Sequence, residues 1–277
     1  MRIVNTDHDT HHVIRLELML INNTGYAVES SPALDFRLMN DYVLIRNCLF
    51  SGITATNSHI ISATFDSETT SRVSVAKLAQ NSVVLCTGGG VIFINNIGEN
   101  NATLSMTKND IRHNYAYESH SIIQLVNMTV AMRDNMIYNN SGKYALEIGS
   151  ETLGCNQLPV QADGNLFWSN AALKRGAKYT VSLNASNVRF TKNIFNNPSN
   201  TYEISVREMG IVNATDASVD CRNNWWGFVL PHFHRIRIRD GRTIEDLAVV
   251  ESSPFETAPP SGLHFSGKHF TFIPHKY

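Results

Sequence analysis

The sequence predicts an all-β fold, a right-handed parallel β-helix of about seven or eight rungs with a non-repeating C-terminal cap. Three observations predict it. An asparagine recurs with apolar residues at fixed offsets, a second alternating strand follows most copies, and the repeat length varies as loops of unequal size would make it vary. The anchors are Asn109, Asn135, Asn165, Asn193 and Asn224, which lie 26, 30, 28 and 31 residues apart. Five residues before each stands Leu104, Val130, Val160, Val188 or Val219. Three before comes Met106, Met132, Ala162, Phe190 or Cys221, and two after comes Ile111, Ile137, Phe167, Phe195 or Trp226. Weaker copies surround Asn81 (Ala76, Leu78, Val83) and Asn47 (Tyr42, Leu44, Leu49), and a partial one surrounds Asn23 (Leu18, Leu20, with Gly25 at the apolar place).

The apolar pair before each anchor alternates with period two, so it reads as a short strand with one face inward. The asparagine reads as a bend residue, because its short side chain tolerates left-handed backbone and bonds nearby main chain. Stacked copies place these amides one above another, as in the ladders of cross-β stacks. The expected ladder is Asn47, Asn81, Asn109, Asn135, Asn165, Asn193 and Asn224. The residue two places on starts a new inward stretch. A return strand follows: Tyr144–Ile148, Tyr179–Leu183 and Tyr202–Val206 alternate, with Ile123 and Leu125 at the equivalent place after Asn109. Leucine-rich repeats share the strand and asparagine but carry a further leucine three residues earlier. Here that place holds Val73, Asn101, Asn127, Gln157, Ala185 and Asp216, and the return half is rich in Tyr, Val and Ile rather than helical.

One continuous repeat argues for one elongated domain in the 277 residues. Residues 1–12 read as a polar tail or truncated start, 13–227 as the repeats, 228–260 as the cap segment and 261–277 as a tail. A net charge of −1 sets up no field for nucleic acid or an anionic membrane. No apolar run is long enough to span a bilayer, so no membrane insertion by this segment is expected. The start lacks the apolar core of a signal peptide, and the strand pattern begins almost at once, so the chain is expected to be cut from something larger.

Cys48, Cys86, Cys155 and Cys221 fall in four different rungs; only neighbouring rungs bring Cα atoms within disulfide reach, so Cys48 with Cys86 is the pairing to weigh against free core thiols. Asn22, Asn101, Asn127, Asn139, Asn184 and Asn213 fit the N-x-[ST] acceptor pattern, although the Asn, Ser and Thr content alone generates several such matches. A β-helix enzyme needs carboxylates stacked on neighbouring rungs, for calcium or for acid and base roles. The outward column at −4 reads Lys77, Ser105, Ala131, Gln161, Arg189, Asp220, and that at −2 reads Ala79, Thr107, Arg133, Asp163, Thr191, Arg222. No two acids stack, and Arg133 beside Asp163 and Arg189 beside Asp220 read as charge matching. No catalytic residue, metal site or cofactor is therefore expected. Asp7, His8, Asp9, His11 and His12, and His232 with His234, have ligand chemistry but read as a terminus and a surface loop. Trp225 and Trp226 have sugar-stacking chemistry, but Trp226 takes an inward place. Gly88–Gly90 reads as a loop without the phosphate-loop pattern.

After Asn224 the repeat breaks. Asn223-Asn224-Trp225-Trp226-Gly227 leads into Arg237-Ile238-Arg239-Asp240 and then Pro254, as aromatic residues and a lid over the open core would. Over residues 41 to 260 this pattern resembles the end of the β-helix blocks in the bark beetle (Anakonda) family of animal junction proteins. The resemblance implies a large single-pass membrane protein whose extracellular part stacks such blocks at tricellular junctions and helps assemble the septate barrier. It implies adhesion or scaffolding through protein partners or homophilic contacts, and no catalytic residues. The scavenger-receptor and lectin-like modules of that family are not seen in this chain. A carbohydrate-active β-helix, lyase, hydrolase or inactive glycan binder, is the rival expectation. It would need carboxylates brought together by loops, for example Asp110 with Asp134.

Overall fold

The computed structural model describes residues 2–4, 13–22, 32–38, 42–66, 73–98, 101–149, 158–173, 175–185, 187–206, 218–227, 231–244, 247–258, 263–266 and 269–272. The chain winds as a parallel β-solenoid. Each coil runs through four sheets in turn, and each strand pairs with its counterparts one coil before and after. The first sheet holds the strands that precede the asparagines, from Val13–Glu17 through Asn101–Thr107 to Val250–Glu251, nine in all among the described residues. The second holds the three-residue strands that follow them, seven from Leu20–Asn22 to Ile194–Asn196. A third, of five two-residue strands from Thr54–Ala55 to Ala171–Ala172, leads into the return sheet, nine strands from Arg2–Val4 to Ile238–Arg239.

The pairing register reproduces the sequence template. Leu104 lies level with Val130, Val130 with Val160 and Val160 with Val188, while Ile111, Ile137, Phe167 and Phe195 form the column after the bend. These side chains are all buried. Inside the tube like stacks on like: Phe167 on Phe195 at 5.0 Å between centroids, and Phe195 on Trp226 at 5.1 Å. Such offset aromatic stacks contribute beyond the area they bury. The return strands carry a second stack, Tyr144 on Tyr179 at 5.9 Å and Tyr179 on Tyr202 at 5.7 Å.

Four sequence expectations need correcting. Asn47 is exposed and sits one place early. Val43 and Ile45 are the inward pair in its strand, Asn47 is level with Gln80, and Cys48 takes the column of Asn81. Asn23 lies outside the described residues, and Met19 occupies its expected column, with its carbonyl accepting from Leu49 N–H as the Cys48 carbonyl accepts from Ser82. Ile123 is level with Leu146, so Ser121, two residues earlier, is level with Tyr144 in place of a tyrosine. Finally, the left-handed residue of the bend is the one before the asparagine. Leu18, Asn47, Gln80, Lys108, Asp134, Gly164, Lys192 and Asn223 all have φ between 51° and 66°, coil after coil. A second such column, Gly52, Leu85, His113, Asn139 and Ser169, makes the next corner.

The ends also differ from simple tails and a lid. Arg2–Val4, within the expected polar tail, pairs with the return strand Leu34–Leu38. Beyond Gly227 the pairing continues: Ile238 with Ile204, Val250 with Val219, and a bridge from Trp225 to Glu256. The 3-10 helix Pro231–Arg237 precedes this further coil, and Leu263–Ser266 forms an antiparallel hairpin with His269–Phe272.

Candidate functional site

The recurring asparagines form a buried hydrogen-bond ladder. Asn135 is typical: its Oδ1 accepts from the backbone N–H and the Nδ2 of Asn109, at 3.0 and 2.8 Å. Its own Nδ2 donates to Asn165 Oδ1 at 2.8 Å and to Met106 O at 2.9 Å. The same pattern links Asn81, Asn109, Asn135, Asn165, Asn193 and Asn224 without a break. At its start Cys48 donates its backbone N–H to Asn81 Oδ1, and its thiol faces Leu16 O at 3.6 Å, where an amide would reach further back.

A second ladder lies four or five residues on and was not read from the sequence as one: Asn114, Asn140, Asn170 and Asn197, each donating to the next. The signal was the second asparagine of the recurring N-x-φ-x-x-N turn. Cys86 opens this ladder as Cys48 opens the first, donating its N–H to Asn114 Oδ1. A carboxylate closes it. Glu203 accepts from the N–H of Asn197 at 2.9 Å, its Nδ2 at 2.8 Å and Thr180 Oγ1 at 2.7 Å. Arg237 neutralises it at 2.6 Å and donates to Asn197 O and Asn200 O as well. In both ladders the NH2 groups point toward the C-terminal end, so an anion there meets the positive end of aligned dipoles, as at a helix N-terminus.

The remaining candidates are distributed as follows. Cys48, Cys86 and Cys221 are buried free thiols, and burial pushes Cys86 and Cys221 above the usual thiol range. Cys48 and Cys86 stand in different ladder columns; Cys155 lies outside the described residues. Of the sequons, Asn101 and Asn139 are exposed. Asn127 and Asn184 are half-buried, Asn127 Nδ2 donating to Asn96 O. Asn22 ends a strand level with Ser51, and Asn213 lies outside the described residues. Trp225 and Trp226 are 3% and 2% exposed, so neither offers a sugar-stacking face; Trp225 stacks instead on Trp168 at 6.3 Å. Gly227 has φ +77, and a Cβ there would meet Asn196 Oδ1 at 2.7 Å.

Several carboxylates outside the ladders are engaged. Glu147 takes Ser121 Oγ and Lys143, Asp220 takes Arg222 twice, and Asp240 takes Arg242 and the Val250 N–H. Hydrogen bonding from Arg222 holds Asp220 below the usual carboxylate range. Asp110 pairs with Arg112 at 3.0 Å, although burial still pushes its carboxyl upward. Asp110 and Asp134 stand on neighbouring coils, one place after and one place before the ladder column. Among the described residues no group of three His, Cys, Asp or Glu side chains converges as a metal site would require. His234 packs on Phe255 at 4.1 Å and meets Ser252 through Nε2; residues 5–12 lie outside the described residues. His59 stacks on Phe93 at 4.8 Å, and burial lowers its pKa to about 4. Gly90, with φ +138, leaves room for that ring: a Cβ there would run into it.

The outward face of the first sheet carries a groove of about 240 Å³, lined by Arg133, Gln161, Asp163, Arg189, Thr191 and Lys192 among others. Arg133 is level with Asp163 and Arg189 with Asp220, as the columns predicted. Asp163, however, accepts from Thr191 Oγ1 at 2.9 Å, and no ion pair joins it to Arg133 among the described residues. No protein-family model matches the chain, and no curated protein or solved structure matches it either.

Proposed function

We propose that this chain is a non-catalytic β-helix scaffold or adhesion segment, extracellular and part of a larger membrane protein. By its resemblance to the bark beetle family it would serve at epithelial tricellular and septate junctions, through protein partners or homophilic contacts. One observation carries the non-catalytic reading: the buried carboxylates Glu147, Glu203 and Asp240 are spent on structure, and the half-buried Asp110 and Asp220 pair with arginines. Glu203 ends a ladder, Glu147 ties a return strand to its neighbour, Asp220 and Asp240 hold arginines of their own coils, and Asp110 holds Arg112 through one oxygen. A glycosidase or lyase needs two acidic groups free to exchange protons at one site, and a carboxylate saturated by fixed donors is a poor proton carrier. The outward faces of the parallel stack are broad surfaces of the kind that repeat proteins use for partners.

The test is direct. Purified full-length chain incubated with polygalacturonate and with alginate is expected to release no unsaturated or reducing sugar above a buffer blank, with or without added calcium. Release from either polymer overturns the non-catalytic reading.

A further inference from the structure

The first-sheet groove has a property that charge matching does not explain. Arg112, Arg222, Arg237 and Arg242 each hold a carboxylate within 3.4 Å. In the groove, Arg133, Arg189 and Lys192 converge around one carboxylate, Asp163, whose Oδ1 already accepts from Thr191. No ion pair within 4 Å ties any of the three cations among the described residues; the next acid along, Asp220, lies level with Arg189 and feels its charge, but is taken by Arg222 through two hydrogen bonds. The groove therefore keeps an excess of positive charge in a chain of net charge −1. All three residues are exposed, on backbone fixed by strand pairing and by the ladder bend. Arg133 ends the strand Thr129–Arg133, Arg189 lies within Asn187–Thr191, and Lys192 is the left-handed residue before ladder Asn193. Arg133 and Arg189 stand two coils apart, about 10 Å along the axis at the inter-strand spacing of about 4.8 Å.

We propose that this groove binds an anionic polysaccharide. Arg133 and Arg189 each present a planar fork suited to a carboxylate or sulfate, Lys192 adds a point charge, and the Gln161 amide, also exposed, suits sugar hydroxyls. An acidic peptide fits less well. The strands lining the groove are paired on both sides, which leaves no free edge for strand addition, and the lining holds no large apolar anchor. The proposal does not depend on the junction reading and requires no turnover.

The test is titration calorimetry of the full chain with a heparin hexasaccharide, a hexagalacturonate and, for comparison, polyglutamate and neutral dextran. At least one anionic oligosaccharide is expected to bind, more weakly as salt rises, while dextran does not. The double variant R133Q/R189Q is expected to lose affinity at least about tenfold with an unchanged circular dichroism spectrum. Lys192→Gln, at an exposed bend, gives a second reading with the same direction. Lys77→Gln, on the same sheet outside the groove, is expected to bind as the parent does. Failure of both oligosaccharides to bind overturns the proposal. So does unchanged affinity in both the double variant and Lys192→Gln, or polyglutamate binding as tightly as the sugars.

Discussion

Each interior ladder asparagine is held by its side chain in four directions at once. Asn135 Oδ1 accepts two donors from Asn109, and its Nδ2 reaches Met106 O behind and Asn165 Oδ1 ahead. Removing the amide from this buried place leaves donors and a carbonyl unsatisfied on two neighbouring coils. Asn135→Ala is therefore expected to destabilise by roughly 1–3 kcal/mol, the cost of orphaned buried polar groups. Asn101→Ala, exposed on the outward side, is expected to be near neutral; chemical denaturation of both variants checks the contrast. Equal losses would mean that the ladder does not hold the bend. The anchor asparagines were legible because one residue type meets the need in every coil. The left-handed residue before them was not. Leu18, Gln80, Lys108, Asp134, Gly164 and Lys192 share no chemistry, since the bend imposes φ on whatever residue stands there. Only Gly164 adopts it without steric penalty. Asn47 was placed one residue off for a related reason: the thiol of Cys48, packed inward and facing a carbonyl, takes the amide's place at the ladder's end, and residue type does not announce it.

At the scale of elements, the contact between the second ladder and the segment after Gly227 decides how the tube ends. Glu203 is 1% exposed and accepts from Asn197, Thr180 and Arg237; Arg237 comes from the 3-10 helix Pro231–Arg237. A buried pair that loses one partner leaves an uncompensated charge, which costs about 3–5 kcal/mol. Glu203→Gln is expected to lose about that much, and the double variant Glu203→Gln/Arg237→Met is expected to recover part of it. A double-variant loss equal to the sum of the two single losses would show that the pair is not a unit. The sequence made Arg237-Ile238-Arg239-Asp240 visible as a motif without its reason. Arg237 holds Glu203, Ile238 continues the return sheet, and Asp240 caps Arg242 and the Val250 N–H. The segment expected as a lid thus adds strands as well, a result hidden because two-residue strands carry no period to detect. The third sheet, also of two-residue strands, escaped notice for the same reason.

The described part of the molecule is a stack in which coil after coil repeats one solution: strands in up to four sheets, with two of the corners between them made by a left-handed residue followed, in most coils, by a buried ladder side chain. Stability in such a stack is close to a sum over neighbouring coils. The architecture was legible because strand period and bend residue both recur. The candidate groove was not, because its charges stand on different coils. Arg133, Asp163 and Arg189 read as matched columns until the Thr191 hydroxyl is seen to take the carboxylate. The central claim, that the left-handed column climbs one coil at a time along a straight line, is open to pulsed electron–electron distance measurement with nitroxides on its exposed members. Pairs at Gln80 and Asn223 stand five coils apart and are expected at about 24 Å between backbones, and Lys108 with Asn223 at about 19 Å, a step of about 4.8 Å per coil. Distances that do not grow by one such step for each coil added would contradict the account.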